Sequence, residues 1–192
     1  MTIRTPGADS AHQWTPGTIF TVGHSTLPAD QFIAVLKGYG IERLADVRTV
    51  PRSRHNPQSN ADVLPARLSG QGIEYLFMPS LGGLRRPRKD SRNTGWRNES
   101  FRGYADYMQS EAFRNAVEEL IRAGKGKRTA IMCAEAVPWR CHRSLVADAL
   151  EVRGVPVVEI LSGTCHRPHK LTPFAHVEGT VLTYPPEQTS LF

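Results

Sequence analysis

The densest group of chemically active residues is the segment CAEAVPWRCHR, which runs from Cys133 to Arg143. It contains two thiols, an imidazole, a carboxylate and two guanidinium groups, on Cys133, Glu135, Arg140, Cys141, His142 and Arg143. The segment links a predicted buried strand to a predicted helix start, where free N–H groups and a partial positive charge attract anions. Because such a field lowers the pKa of a thiol, we predict that Cys133 is a nucleophile and Cys141 its partner. Glu135 or His142 would move protons, and Arg140 and Arg143 would bind an anion.

Three other interpretations of this segment stay open. In the cysteine phosphatase loop an arginine stands six positions after the cysteine, but here that position is Trp139 and Arg140 is the seventh. A zinc site would have suitable ligand types in Cys133, Cys141, His142, Cys165, His166 and His169. However, the chain has no Cys-x-x-Cys pair and the neighbouring arginines would repel a cation, so we predict neither metal nor cofactor. The third interpretation is structural: Cys133 packs at a strand end and Glu135 pairs with an arginine.

Polar residues also follow the other predicted strands. The residues concerned are His24, Ser25, Asp46, Arg48, Gly82 and Gly83, with the segment 162–166 after the last strand. Ligands of open parallel sheets bind outside the carboxyl ends of the strands, so we expect these residues to converge on Cys133. We assign catalytic roles to His24 and Asp46, and substrate binding to Ser25, Arg48, Gly82 and Gly83.

Strand-like and helix-like segments alternate along the chain. Short apolar runs predict strands at residues 18–22, 43–47, 74–78, 128–132 and 155–161. Helical spacing of apolar residues predicts helices at residues 28–39, 60–68 (broken by Pro65), 103–123 and 141–153. This order predicts a three-layer, Rossmann-like α/β fold, with a mostly parallel sheet of about five strands and helices on both faces. A further strand is expected within residues 179–184.

Length and composition indicate one globular domain. The 192 residues and the 40% hydrophobic content suit a single α/β domain over residues 18–184, with a flexible leader at 1–17 and a tail at 185–192. No apolar run approaches the roughly 18 residues needed to cross a bilayer, and the first residues lack the apolar stretch of a secretory signal. Three cysteines, an odd number, argue against a disulfide framework. We therefore predict a cytoplasmic protein without a membrane partner.

The charge of the chain favours anionic partners. Its formal net charge is +6, which suits nucleic acid, nucleotides or phosphate esters. Residues 81–101 are too long for a tight connection. In and beside them, basic and aromatic residues alternate: Arg85, Arg86, Arg88, Lys89, Arg92, Trp96, Arg97, Phe101, Arg102 and Tyr104. This pattern suits a nucleic-acid strand, whose backbone it neutralises and whose bases it stacks; the alternative is a solvated basic flap.

Several short motifs together resemble a known family. They are Gly23-His24-Ser25, Asp46-Val47-Arg48 with Pro51 and Ser53, Leu81-Gly82-Gly83, and Cys133-Ala134-Glu135 followed by Cys141-His142-Arg143. This combination resembles the uncharacterised prokaryotic family catalogued as domain of unknown function 488, over residues 18–184. The resemblance implies the α/β fold and a functional role for the paired cysteines, but it brings no established reaction.

The last five residues, QTSLF, resemble the peptide by which bacterial replication and repair proteins dock on the DNA sliding clamp. In such a contact Leu191 and Phe192 would enter an apolar pocket and Gln188 would bond at its rim. The alternative is a tail that folds back on its own domain.

These observations predict an enzyme that acts on nucleic acid or another phosphate-bearing substrate, in DNA maintenance. Two other classes stay open. One is a non-catalytic module that binds nucleic acid and recruits the clamp. The other is a thiol redox or small-molecule enzyme in which Cys133 and Cys141 cycle between thiols and a disulfide.

Overall fold

The computed structural model describes residues 14–186 and has a mixed α/β architecture. Six strands form one sheet in the order β3-β2-β4-β1-β5-β6. Their bounds are β1 Ile19–Gly23, β2 Arg43–Asp46, β3 Glu74–Phe77, β4 Thr129–Cys133, β5 Val157–Ile160 and β6 His166–Pro168. The first five strands are parallel and β6 runs antiparallel to β5, so the predicted Rossmann-like, mostly parallel sheet is confirmed.

In the part of the chain that the structure describes, five α-helices cover the two faces of the sheet. They are α1 Ala29–Gly38, α2 Leu64–Ser69, α3 Glu99–Tyr107, α4 Glu111–Gly126 and α5 Arg143–Glu151. Successive residues of a strand point to opposite faces, so Ala130 and Met132 of β4 join the core under α1 and α2. Ile131 and Cys133 join the core under α3, α4 and α5. Cys133 therefore ends a strand that is buried on both faces.

Two helix predictions need correction. The helix expected at residues 103–123 is two helices, because the side chains of Asn98 and Ser110 accept hydrogen bonds from the first turns of α3 and α4. The apolar spacing continued across this break because both helices pack against one core. Pro65 does not break α2 but lies in its first turn, where the N–H that proline lacks has no intrahelical partner.

The far edge of the sheet also differs from the prediction. The chain reverses after β5 and adds β6, whose residues are exposed and carry no apolar alternation that a sequence pattern could detect. The strand expected within residues 179–184 exists as β8 Val181–Thr183, but it pairs only with β7 His176–Glu178 in a separate hairpin.

The ends of the described chain bear on two further predictions. Trp14, which we placed in the leader, contacts Phe20 with ring centroids 5.4 Å apart. Gln188, Leu191 and Phe192 of the proposed clamp peptide lie outside the described residues, so clamp docking stays a prediction. Within residues 14–186, no helix is long and apolar enough to cross a membrane.

A buried ionic cluster ties the last segments to the domain. His169 contacts Glu159 through Nδ1 and Asp148 through Nε2, both at 2.8 Å. Asp148 also accepts hydrogen bonds from the hydroxyls of Thr172 and Tyr184. Burial opposes the charge of His169, but the hydrogen bonds to both carboxylates outweigh it and raise the pKa of His169 to about 9. We infer that this histidine is charged at neutral pH and bridges α5 and β5.

Candidate active site at the carboxyl edge of the sheet

The ends of β1, β2 and β4 bring several of the predicted site residues together. Gly23 stands beside Cys133 in the sheet, and Asp46 stands beside Met132. Beyond the strands, the backbone N–H of His24 donates to the carbonyl oxygen of Cys133 at 3.1 Å. The three strand ends therefore form one edge, with Cys133 at its centre.

Two cysteines and a histidine meet at this edge. The sulfur atoms of Cys133 and Cys141 and one ring nitrogen of His142 all lie within 4.8 Å of one another. Both cysteines are buried, while His142 is partly exposed. The Nε2 atom of His142 lies 3.0 Å from the carbonyl oxygen of Val47, so Nε2 carries a proton and Nδ1 faces Cys141 at 3.7 Å. The structure thus brings Cys133 and Cys141 together, and their roles as nucleophile and partner stay a prediction.

The contact between the two sulfurs shifts the pKa values of Cys133 and Cys141 in opposite directions. A hydrogen bond from Cys141 lowers the pKa of Cys133 well below its usual range; burial opposes this shift, and His142 and the charge of Arg143 add to it. The same hydrogen bond, together with burial, raises the pKa of Cys141. These shifts favour a thiolate on Cys133 beside a thiol on Cys141, and the thiolate is the nucleophilic form.

Arg143 is placed differently from our expectation. Its side chain is fully buried and donates to the carbonyl oxygens of Glu135 at 2.6 Å and Ala136 at 2.9 Å. It therefore holds the Cys133–Cys141 loop closed and does not face an anion in solvent. Arg140 is exposed and stays available to an anion. Glu135 is exposed and takes part in this contact through its backbone, whereas we had expected its carboxylate to act.

Replacing Arg143 with lysine should lower the free energy of unfolding by about 3 kcal/mol, because lysine lacks the planar fork that places a separate nitrogen on each carbonyl oxygen. Urea unfolding of the variant measures the change. Arg140→Lys is the matched control on the same loop, and its exposed side chain predicts a change within about 0.5 kcal/mol. Equal stability of the two variants would contradict the role of Arg143.

A second buried network supports the edge from the side of β2. Asp46 accepts from Arg48 at 2.6 and 2.9 Å and from the hydroxyl of Tyr75 at 2.7 Å. Arg48 also donates to Nε2 of His24 at 3.1 Å and to the carbonyl oxygen of Ser59 at 2.8 Å. Both members of the Asp46–Arg48 pair are buried, so Arg48 is a positioning residue here and not the exposed anion-binding group that we expected.

His24 is held as a neutral ring by this network. Arg48 can only donate, so Nε2 of His24 is an acceptor and Nδ1 donates to the carbonyl oxygen of Ser25 at 2.8 Å. Burial lowers the pKa of His24, which agrees with the neutral form. Ser25 adopts a left-handed conformation with φ of 48°, and its N–H donates to the carbonyl oxygen of Ala134 at 2.9 Å. Both residues thus brace the Cys133 loop, in contrast to the catalytic and substrate-binding roles we expected of them.

Glycines allow the loops to approach the site closely. A Cβ atom on Gly23 would lie 1.8 Å from the carbonyl oxygen of Glu135, and one on Gly83 would lie 2.9 Å from Nδ1 of His142. Gly82 packs in the same way against Thr49, where a Cβ atom would lie 2.5 Å from Oγ1. We predicted substrate binding for Gly82 and Gly83, whereas in the structure Gly82 packs against Thr49 and Gly83 packs against His142.

The sequence pattern missed the support that Tyr104 provides. Tyr104 is fully buried, donates to the carbonyl oxygen of Leu81 at 2.7 Å, and places its ring 5.0 Å from that of His142. Trp96 packs among Phe101, Phe174 and Tyr184. These rings are part of the core, which corrects the expectation that they alternate with arginines to stack bases. The sequence did not indicate this packing, because most residues of the segment 81–101 are polar.

The metal ligands considered from the sequence are only partly assembled. Cys133, Cys141 and His142 could hold a soft metal such as zinc with two thiolates and an imidazole. Cys165 is exposed in the turn after β5, and the ring of His166 lies against Trp14 and Tyr39. His169 is bound to its two carboxylates. The buried cation of Arg143 beside this trio opposes a second positive charge.

Comparison with known proteins agrees with the resemblance stated above. Residues 28–150 match the model of the family described as domain of unknown function DUF488, a span that includes Asp46, Cys133 and His142 but begins after His24. Searches of curated proteins and of solved structures found no match. The chain therefore belongs to the family described as domain of unknown function DUF488.

Proposed function

We propose that this protein is an enzyme that uses the Cys133 thiolate as a nucleophile on a phosphate-bearing substrate. The observation that carries the proposal is the contact of Cys133 with Cys141 and His142, at the sheet edge where parallel α/β folds bind ligands. The net charge of +6 and the exposed guanidinium of Arg140 beside this contact favour an anionic substrate. We predict that the substrate is nucleic acid and that the enzyme acts in DNA maintenance in the cytoplasm.

The thiol pair suits a two-step reaction. The sulfur of Cys133 forms a bond to the electrophilic atom of the substrate, and the bond to the leaving group breaks. Once Cys133 has lost its negative charge, the main cause of the raised pKa of Cys141 is gone. Cys141 can then give its proton to the leaving group and becomes a thiolate. In the second step water attacks the group bound to Cys133, the Cys141 thiolate takes the proton of the water, and the product leaves as Cys133 returns to its thiolate form. The Val47 carbonyl holds Nε2 of His142, so that Nδ1 faces Cys141 at 3.7 Å and can exchange a proton with it.

Replacing Cys133 with serine should reduce turnover at least about 1,000-fold, because a hydroxyl is not ionised at neutral pH. The measurement uses a panel of nucleotides, oligonucleotides and chromogenic phosphate mono- and diesters, with intact-protein mass spectrometry to detect an adduct on Cys133. Cys165→Ser is the matched control, because Cys165 is exposed and lies outside the trio. A Cys133→Ser protein with wild-type turnover would remove the nucleophile from the proposal.

The contact between the two sulfurs also favours a second candidate, thiol–disulfide exchange. An oxidant such as glutathione disulfide would take two electrons from the pair. The Cys133–Cys141 bond would form, and the glutathione disulfide would be released as two thiols. A redox enzyme needs both cysteines equally, whereas the nucleophile mechanism keeps part of its activity in a Cys141→Ala protein. Equal loss of activity in the two single variants would therefore favour the redox function.

A further inference from the structure

Three exposed apolar side chains stand close in sequence to residues of the Cys133 edge. Val50, Leu84 and Trp139 are 62%, 79% and 55% exposed, respectively. Each lies on a loop that adjoins the site. The hydroxyl of Thr49 donates to the carbonyl oxygen of Gly83 at 2.9 Å, which joins the loops that carry Val50 and Leu84 beside His142. Trp139 stands two residues before Cys141. We call Val50, Leu84 and Trp139 the apolar rim.

The indole ring of Trp139 is both exposed to solvent and supported by a neighbouring side chain. It lies in the short turn Pro138–Arg140, between the Cys133 strand and α5. The guanidinium carbon of Arg167 lies 5.0 Å from the centre of the indole ring, and Arg167 is itself held by Glu159 at 2.6 Å. The ring is thus supported by a fixed cation, while more than half of its surface stays open to solvent.

Positive charge accompanies the apolar rim. Arg52 and Arg54 follow Val50, Arg86 follows Leu84, and Arg140 follows Trp139; all four are exposed. Guanidinium groups neutralise phosphates, and an exposed indole stacks on a planar base. An acidic peptide would satisfy the arginines but would not use the flat face of Trp139. The combination of planar and cationic groups favours a polymer of bases and phosphates.

We propose that the apolar rim and its arginines bind single-stranded nucleic acid, with an unpaired base stacked on Trp139 beside the Cys133 site. The inference rests on the proposed function, whose substrate class it narrows from phosphate-bearing compounds to single strands. A base in a duplex is covered on both faces by its neighbours and cannot stack on a side chain without leaving the helix. The rim therefore selects single strands over duplexes.

The test is fluorescence anisotropy with a labelled single-stranded oligonucleotide and with the duplex of the same sequence. We expect the single strand to bind more tightly, with an affinity that falls as salt rises. Trp139→Ala should weaken its binding roughly 5- to 150-fold, the range that follows from the loss of one base stack. Trp139→Phe should retain most of the affinity, because an aromatic ring remains. Val177→Ala is the matched control, since Val177 is exposed on the separate hairpin and should leave binding unchanged.

Two outcomes would overturn the inference. One is wild-type affinity of Trp139→Ala for the single strand, which would show that the arginines bind the strand without base stacking. The other is equal affinity for single strand and duplex. The same assay on Cys133→Ser separates this inference from the proposed function, because strand binding should survive without the nucleophile. If Trp139→Ala binds normally while Cys133→Ser loses turnover, the inference fails and the proposed function stands.

Discussion

Iodoacetamide should alkylate Cys133 at a rate that changes little between about pH 8 and about pH 5. An ordinary thiol loses reactivity about tenfold for each pH unit below about 8.5, because only its thiolate attacks. In this protein Cys141, His142 and Arg143 lower the pKa of Cys133. Burial slows the absolute rate, so the shape of the pH profile is the informative quantity. Mass spectrometry of the peptide that contains Cys133 gives the rate at each pH.

The origin of this profile can be tested by removing one hydrogen bond. In Cys141→Ala the strongest stabilisation of the Cys133 thiolate is lost, so alkylation at about pH 5 should slow at least about tenfold relative to pH 8. Cys165→Ser, far from this contact, should keep the flat profile of the wild type. A wild-type rate that falls with pH like that of free glutathione would contradict the ionised state of Cys133.

The second large effect concerns stability. Replacing His169 with alanine should lower the free energy of unfolding by about 3–5 kcal/mol, because Asp148 and Glu159 would be left as buried charges without their shared partner. Urea unfolding at neutral pH measures this loss. His176→Ala is the control, since His176 is exposed and its nearest carboxylate oxygen, on Glu178, is 3.8 Å away. We expect that variant to stay within about 0.5 kcal/mol of the wild type.

The same cluster predicts how stability depends on pH. The pKa of His169 is raised in the folded protein to about 9. A raised pKa stabilises the fold fully below the unfolded value of about 6.5, and this contribution is lost as pH rises through about 9. The wild type should therefore lose stability between those limits, by more than His169→Ala loses over the same range. Parallel pH profiles for the two proteins would show that His169 is not the titrating group.

The fold followed from the sequence because its central strands are strongly patterned. Four of the five predicted strands are buried on both faces or nearly so. Short apolar runs that alternate with helical segments are typical of a parallel sheet covered by helices on both faces. The exposed strand β6 and the hairpin of β7 and β8 carry no such pattern, because solvent accepts almost any residue there. The break between α3 and α4 was hidden because two helices on one core share one apolar stripe.

The position of the site was predictable, but the roles of its residues were less so. Parallel strands place their carboxyl ends together, which is why Cys133, Asp46 and His24 converge. Sequence spacing does not tell whether a guanidinium points into solvent or into the protein. Arg48 and Arg143 both turn inward, to a carboxylate and to two backbone carbonyls, respectively. Arg48 and Arg143, which we expected to bind an anion, therefore hold the site together, whereas Arg140 is exposed.

The proposed nucleophile must be ionised at neutral pH, and the ultraviolet absorbance of a thiolate measures this directly. The absorbance is followed during acid titration of Cys165→Ser and of the Cys133→Ser/Cys141→Ser/Cys165→Ser triple variant, so that the difference reports the Cys133–Cys141 pair. We expect one thiolate per chain at neutral pH, which persists well into the acid range before it is protonated. A difference of zero at neutral pH, with absorbance that rises only near the pKa of an ordinary thiol, would contradict an ionised Cys133.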